Sequence, residues 1–406
     1  MNNKSKTLVQ IVSRQTMPNL LAAMAMRPER IIHICTPAMK AVSGNLVRAY
    51  ADAGLHAQVV ERDVAAHSAM SEVHECVKGV FAEFQDAVIN FTGGTKLMSI
   101  GAYSAATNCK LPSFYVDTGT WRFLDGMTGA GIGGVFPEDS LDIMQVSRQL
   151  KVHTIANANG IERVTGGQPW RKYAKLADIL LRDPKVEQKC HDFASNAVNR
   201  EPRKYAERRE WWSERYSKPI GLPDDVCRAA VEAGLFEEEN GAFYASREHS
   251  RKLADLDLNR PCPPPVIFEA FEAAVWPFAF FNGNWWEIAV MDFLSKSGKY
   301  HDLAWSVYAG SRRDDSTDME EDILGVDGVN LLYVSCKRGG DKSKLSRVIE
   351  DVNSSSKRIG GEFATKVLAV YVPPTGRQRV RLENRCRDLG IRLLSGDEVG
   401  GRFHTV

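Results

Sequence analysis

Residues 320–337, EEDILGVDGVNLLYVSCK, constrain the fold of this chain more than any other stretch. Two apolar runs flank Asp327-Gly328, a dipeptide that favours a tight hairpin turn. The first run carries Glu320 and Asp322, and the second ends in Ser335-Cys336-Lys337. Side chains alternate faces along a strand, so the register decides which of these meet. If Asp327 and Gly328 form the loop, Glu320 faces Ser335; if the loop runs from Asp327 to Asn330, Asp322 does. In both registers Glu320, Asp322, Ser335 and Lys337 share one face with Leu324, Leu331 and Tyr333, whereas a one-residue slip would split them. Acid and ammonium groups on a partly buried face need each other, a metal or a substrate. A surface ion pair at a strand end is the plainer alternative.

A chain of 406 residues exceeds one small core, and its composition shifts divide it into residues 1–150, 151–262 and 263–406. Net charge is +1, so any contact with nucleic acid must come from a local patch. The longest apolar run, Ala273 to Phe281, contains Pro277 and is too short to span a bilayer. Residues 1–6 are polar and lead straight into a strand, so a cytoplasmic protein with no membrane partner is expected. The eight cysteines contain no CxxC pair and the nine histidines no HExxH spacing, which argues against a zinc site.

The first 150 residues alternate strand and helix. Strands are expected at Thr7–Val12, Arg30–Cys35, Gln58–Glu61, Ala87–Phe91 and Ser113–Val116, with a helix at Leu20–Met26. This pattern predicts a parallel sheet with helices on both faces and ligands beyond the carboxyl ends of its strands. The sharpest local feature is Thr92-Gly93-Gly94-Thr95-Lys96, placed where a strand gives way to a helix. Glycines let the backbone approach a ligand, the helix start offers unpaired N–H groups to an anion, and the threonines and lysine add donors. A phosphate or ribose site is expected there, although a Gly-Gly turn is also a common plain turn and no Walker loop is present. The following helix is rich in small residues, which suits close packing on the sheet or on a second subunit.

The order strand–SRQTMPN–helix, then strand–FTGGTKLM–helix, resembles a CARF domain, the Rossmann-like sensor of cyclic oligoadenylates in type III CRISPR immunity. The resemblance covers about the first third of the chain. It implies a homodimer that binds one symmetric ring, cyclic tetra-adenylate foremost, across a two-fold axis. By position Ser13, Gln15, Pro18 and Asn19 match the first ligand loop, and Thr92, Gly93, Gly94, Thr95 and Lys96 the second. Thr36 and Asp117–Thr120 sit at other strand ends as weaker candidates.

Residues 151–262 read as a helical connector. Lys204–Tyr216 is a charged helix with an aromatic stripe, Asp224–Gly234 a short helix, and Glu237–Ser246 a wing-like hairpin around Asn240-Gly241. Prolines at 261 and 263–265 mark the boundary that follows. Beyond it, Trp285–Leu294 has helical periodicity, with Glu287 on the apolar stripe beside Val290, Met291 and Leu294. Glu287 is either a capping-box acid under Asn284 or an inward-facing metal ligand.

A helix carboxylate, a strand acid and a lysine on the paired strand resemble the layout of PD-(D/E)xK nucleases, here the restriction-endonuclease-like α/β domain that accompanies CARF sensors. The matching pieces are NWWE, EEDIL, VSCK and IGGEFATKVLAV; Ser335 departs from the family's usual acid. The resemblance implies a Mn2+ or Mg2+ ion on Glu287, Asp322 and the backbone carbonyl of Cys336, with Lys337 orienting water, and Ser335 and Glu320 beside them. It implies an endonuclease acting on DNA and/or RNA. Arg377, Arg381 and Arg385 align at four-residue spacing on a helix, for phosphate contact or for pairing with Glu383 and Asp388; Lys342 and Lys344 are a second basic candidate. The competing reading is a ligand-controlled transcriptional regulator that uses the wing-like middle, with a nuclease fold left degenerate by Ser335.

Overall fold

The computed structural model describes residues 6–65, 69–127, 142–167, 169–256, 264–310, 319–339 and 342–401. The expected proline-rich boundary lies mostly outside them. No helix among the described residues is long and apolar enough to cross a membrane, and their cysteines are all free thiols.

The N-terminal sheet is built from β1 (Thr7–Ile11), β2 (Arg30–Cys35), β3 (Gln58–Asp63), β4 (Ala87–Asn90), β5 (Ser113–Asp117) and β6 (Arg122–Asp125). Their order is β3-β2-β1-β4-β5-β6. All neighbours are parallel except β6, which folds back antiparallel on β5 and was not expected. The sequence explains the burial: β1 (TLVQI) is buried at every position, as a strand covered on both faces must be. In register, Val9 lies between Ile32 and Ile89. Four helices connect the strands: α1 (Met17–Met26), α2 (Lys40–Asp52), α3 (Met70–Glu83) and α4 (Lys96–Cys109). The small residues of α4 pack within the domain: a Cβ on Gly101 would stand 2.3 Å from the Met70 carbonyl oxygen of α3. Strand order reverses at β1, with β2 and β4 on its two sides, and that reversal opens a crevice at the carboxyl ends of β1 and β4.

The chain then forms α5 (Ile143–Ser147), α6 (Val152–Ala158), β7 (Arg163–Gly166), α7 (Ala174–Arg182), α8 (Pro184–Val198), α9 (Tyr205–Tyr216) and α10 (Asp224–Glu232). The hairpin β8 (Phe236–Glu239) and β9 (Ala242–Ala245) and helix α11 (Arg247–Ala254) follow. That hairpin turns through Asn240 and Gly241 at φ 54° and 79°, both left-handed, as a two-residue turn of this kind requires. The aromatic stripe of α9 is core: Trp212 is fully buried against Phe278 at 5.1 Å, and the Tyr216 hydroxyl donates to the Ala274 carbonyl at 2.9 Å.

The last elements are α12 (Pro264–Ala279), α13 (Trp285–Lys296), β10 (Tyr300–Gly310), β11 (Met319–Asp327), β12 (Asn330–Gly339), α14 (Lys342–Gly360), β13 (Thr365–Val372), α15 (Arg377–Asp388), β14 (Ile391–Ser395) and α16 (Gly396–Val399). A π-helical turn, Phe280–Asn284, separates α12 from α13. The second sheet has the order β14-β13-β12-β11-β10-β7, so a strand from the expected connector forms one edge. The molecule comprises two compact units. One takes Met1–Gly166, Gly298–Val334 and Ile349–Val367; the other takes Gly167–Ser297, Ser335–Val348 and Leu368–Val406.

Candidate ligand corner and candidate hydrolytic residues

Two buried asparagines brace the carboxyl ends of β1 and β4. Asn19, fully buried at the start of α1, donates from Nδ2 to the Ile11 carbonyl at 3.0 Å. Asn90, the last residue of β4, donates to the Asn19 Oδ1 and to the Pro18 carbonyl, each at 3.3 Å. Its own Oδ1 accepts from the Thr92 hydroxyl at 2.6 Å and the Thr92 amide at 3.1 Å. The Thr92 hydroxyl in turn accepts from the Val116 amide of β5 at 2.7 Å. One connected string of neutral amides and a hydroxyl therefore ties β1, α1, β4 and β5 together, with its buried polar groups partnered as burial demands.

That string fixes the shape of the loop above it. A Cβ on Gly93 would stand 2.1 Å from the Ile11 carbonyl oxygen, so only glycine allows the two loops to touch. Gly94 has φ +83°, a left-handed conformation that suits glycine. Thr95 caps α4, its hydroxyl oxygen accepting from the Met98 amide at 3.3 Å. Gly94, Thr95 and Lys96 are exposed at this helix start, and Arg14 and Gln15 are exposed on the facing loop. Ser13 is half-exposed, and its hydroxyl donates to the Gln15 carbonyl at 3.3 Å. Free N–H groups, a dipole end and a lysine suit an anionic ligand.

Other sequence candidates sit differently. Pro18 and Asn19 are buried, so they support the loop from beneath rather than line its surface. Thr36 is nearly buried where β2 ends. Asp117–Thr120 forms the turn into β6; Asp117 accepts from the Thr120 hydroxyl and from the Gly119 amide at 3.1 Å, and those bonds hold its carboxyl below the usual range. A second polar string runs through the same domain: His33 bonds Ser43 at 2.8 Å and Tyr50 at 3.1 Å, and Gln10 donates to Tyr50 at 3.0 Å. Burial pushes the His33 imidazole down to about 4.

In the C-terminal hairpin, Val326 pairs with Leu331 and Asp327 with Asn330, so the longer-loop register of the two expected is the one adopted. Gly328 takes φ +61° between the last pair. The expected face needs correction at its far end. The carboxylate that meets Tyr333 belongs to Glu321, which accepts from the Tyr333 hydroxyl at 2.6 Å and from Arg358 of α14 at 3.0 Å. Strict alternation from Leu324, which pairs with Tyr333, would turn Glu321 away. Alternation breaks at Asp322: the ladder with β10 skips the Ser306–Asp322 pair, and Ser306 has φ +52°. Glu321 is 3% exposed, and burial raises its carboxyl while Tyr333 and Arg358 pull it back down. Glu320 is exposed and accepts from the Ser306 hydroxyl at 2.7 Å; Asp322 is half-buried.

Glu287 is half-buried on α13, whose first turn is pinned by Trp286 donating to the Ala369 carbonyl at 3.1 Å and by Trp285 packing on Tyr371 at 4.8 Å. The Asn284 side chain makes no capping bond, so half of the expected capping box is missing. On β12, Ser335 and Cys336 are buried, and the half-buried Lys337 donates its ammonium to the Cys336 carbonyl at 2.8 Å. The next residue, Arg338, forms a two-bond pair with Glu187 of α8 at 2.7 and 2.9 Å, which anchors this strand end. Glu287, Ser335, Cys336 and Lys337 belong to one compact unit, Glu320 and Asp322 to the other. Among the described residues no three His, Cys, Asp or Glu side chains stand together as a metal cage. The side chains of Lys342 and Lys344 lie outside the described residues.

Sequence reasoning missed Asn90, Glu321 and the Glu187–Arg338 pair. Asn90 carried a signal, a polar residue ending an otherwise apolar strand directly before the glycine loop.

Residues 7–125 match a family model described as the Card1 CARF domain. Among solved structures the chain is similar to Can2 from Sulfobacillus thermosulfidooxidans, solved in complex with cyclic tetra-adenylate. The TM-score is 0.67 at 17% identity, over 98% of this chain and 95% of that one. It is also similar to the protein VC1899 from Vibrio cholerae, with a TM-score of 0.63 at 16% identity, over 97% of this chain and 95% of that one. At these identities the likeness is one of fold. No curated protein matches in sequence.

Proposed function

Residues 7–125 are a CARF domain, and from that premise we propose that this protein is a cyclic-oligoadenylate-activated, metal-dependent nuclease of type III CRISPR defence. The observation that carries the proposal is the corner at the strand-order reversal: an exposed Gly94-Thr95-Lys96 helix start facing Ser13 to Gln15, set by the Asn19–Asn90 brace. Such a corner suits phosphates, and a homodimer would present it twice to one symmetric ring. The ring must bind the active conformation better than the resting one, or its arrival shifts nothing.

For the hydrolytic step, Glu287, Asp322 and the Cys336 carbonyl offer hard oxygen donors, the chemistry that Mg2+ and Mn2+ prefer while keeping several waters. Such an ion, when bound, lowers the pKa of a water and stabilises the oxyanion of phosphodiester cleavage. Lys337, already resting on the Cys336 carbonyl, would orient that water and offset developing charge. Ser335 supplies a hydroxyl where the PD-(D/E)xK pattern has an acid, and Glu320 is a further candidate carboxylate. The regulator reading is disfavoured by the wing itself: β8 is FEEE, and although Arg247 pairs with Glu237 at 3.2 Å and with Glu239 at 2.6 Å, the three glutamates leave an acidic excess that would repel a DNA backbone.

The test is to incubate the protein with plasmid, single-stranded DNA and RNA, with Mn2+, with and without each cyclic oligoadenylate. Ring-dependent cleavage of at least one substrate, lost in EDTA, is the expected result. Ring binding without cleavage of any substrate would sink the nuclease half and leave the sensor.

A further inference from the structure

Helix α15 has the sequence RQRVRLENRCRD, which sets five arginines against two acids. Only Leu382 and Cys386 are buried, so one side seats the helix and every arginine is exposed. Arg379 pairs with Glu383 at 2.8 Å, and Arg387 donates to Asn384 at 3.2 Å. Arg377 and Arg381 have no acidic partner among the described residues, and they are neighbours on the helix surface with Arg385 four positions further on. Like charges at that spacing destabilise an isolated helix, and a polyanion laid along them relieves the repulsion. The chain as a whole carries only +1, so this excess is local rather than part of a general basic field.

We propose that α15 is the surface by which this protein grips the phosphate backbone of nucleic acid. The proposal rests on the reading that the substrate is a nucleic acid, and it adds where that substrate is held. Arginine contacts to phosphate position a strand without reading its bases, so binding along α15 is insensitive to sequence.

The test measures binding of two fluorescent probes in EDTA, a DNA duplex and a single-stranded RNA of equal length, across a salt series with and without cyclic tetra-adenylate. R377Q/R381Q is compared with the parent and with K185Q/K189Q, which removes the same charge from exposed positions on α8. The expected result is a loss of roughly tenfold or more at low salt for the α15 variant, with the log–log salt slope shallower by about two. The α8 variant should bind as the parent does, and both variants should bind the ring normally. Equal binding by parent and α15 variant, in a protein that still cleaves, overturns this proposal and leaves the nuclease reading intact. A parent that neither cleaves nor binds either probe removes that reading and this one with it.

Discussion

The corner between β1 and β4 and the hairpin β11–β12 both carry polar side chains into apolar surroundings, and they stabilise them differently. The corner uses neutral amides and a hydroxyl: Asn19, Asn90 and Thr92 satisfy one another and the chain ends around them. Nothing in that string titrates, so its shape is independent of pH. The hairpin uses charge: Glu321 is buried, its carboxyl raised by desolvation, and it depends on Arg358 and the Tyr333 hydroxyl. Neutral bracing suits a site that must be in place before its ligand arrives. Charged bracing suits a site whose electrostatics take part in chemistry, and it makes the hairpin the more fragile of the two.

The strongest way to break the contrast is Lys337→Ala. Cleavage should fall by at least about a hundredfold while ring affinity stays at the parent value, because the two sites are built from different residues. The measurement pairs a ring-activated cleavage assay with calorimetric ring titration. Cleavage surviving at the parent rate would remove Lys337 from the chemistry.

Protonation separates the regions by sign. His33 is buried neutral, with a folded-state value of about 4 against 6.5 when free. Between those values the unfolded chain binds the extra proton, so stability contributed by neutral His33 is present above 6.5 and lost as pH falls toward 4. The full loss is roughly 3 kcal/mol. Glu321 runs the other way: burial raises its carboxyl above the ordinary value, so the folded form binds the extra proton and stability declines as pH rises from that ordinary value through the raised one. Chemical denaturation of the parent and His33→Gln from pH 7 to pH 4 checks the first claim. The variant should show a shallower acid-side slope than the parent, the remainder including His191 and His249, whose imidazoles burial also lowers; an unchanged slope would assign it to those other groups.

Asn90→Asp probes the neutral brace. The change is isosteric and keeps an acceptor for Thr92, but it puts a carboxylate against the Pro18 carbonyl and the Asn19 Oδ1. A stability loss of about 1–3 kcal/mol is expected, together with at least about tenfold weaker ring binding at a temperature where the variant is folded. Asn19→Asp should not add to it, since both belong to one string. A variant with a lowered Tm and parent ring affinity would reduce the brace to a purely structural role.

These tests follow what the sequence made visible and what it hid. Strands β1, β2, β4 and β5 were legible because buried parallel strands are nearly continuous apolar runs, and the glycine loop was legible because few other sequences tolerate such a turn; β3, QVVERD at the sheet edge, showed only its Val59-Val60 pair. Strand β6 was not, since RFLD has neither a run nor a clear alternation and pairs only because β5 offers an open edge. The hairpin could be read but its register could not: Asp327-Gly328 is compatible with two loops, and in the structure Asp327 itself pairs with Asn330, leaving Gly328 and Val329 to turn. The break at Asp322 lies opposite Ser306, far earlier in the chain, whose left-handed backbone at φ +52° no local pattern encodes. Burial of Asn19 was likewise hidden, because a polar residue opening a helix reads as exposed until the sheet beneath it is known.

The smallest expected effect tells whether the corner faces an anion at all. The Thr95 oxygen accepts from the Met98 amide, so Thr95→Ala should destabilise α4 by about 1 kcal/mol through loss of the cap alone. Asp is an equally good cap and adds favourable charge at a helix start, so Thr95→Asp should retain parental stability. For a ring of phosphates the order reverses: Thr95→Ala should weaken binding modestly, and Thr95→Asp more, because a carboxylate then stands beside the incoming charge. Tm and ring affinity measured side by side on the two variants give opposite rankings if the exposed helix start holds phosphate. The same ranking in both would mean that Thr95 only caps its helix and that the ring lies elsewhere in the crevice.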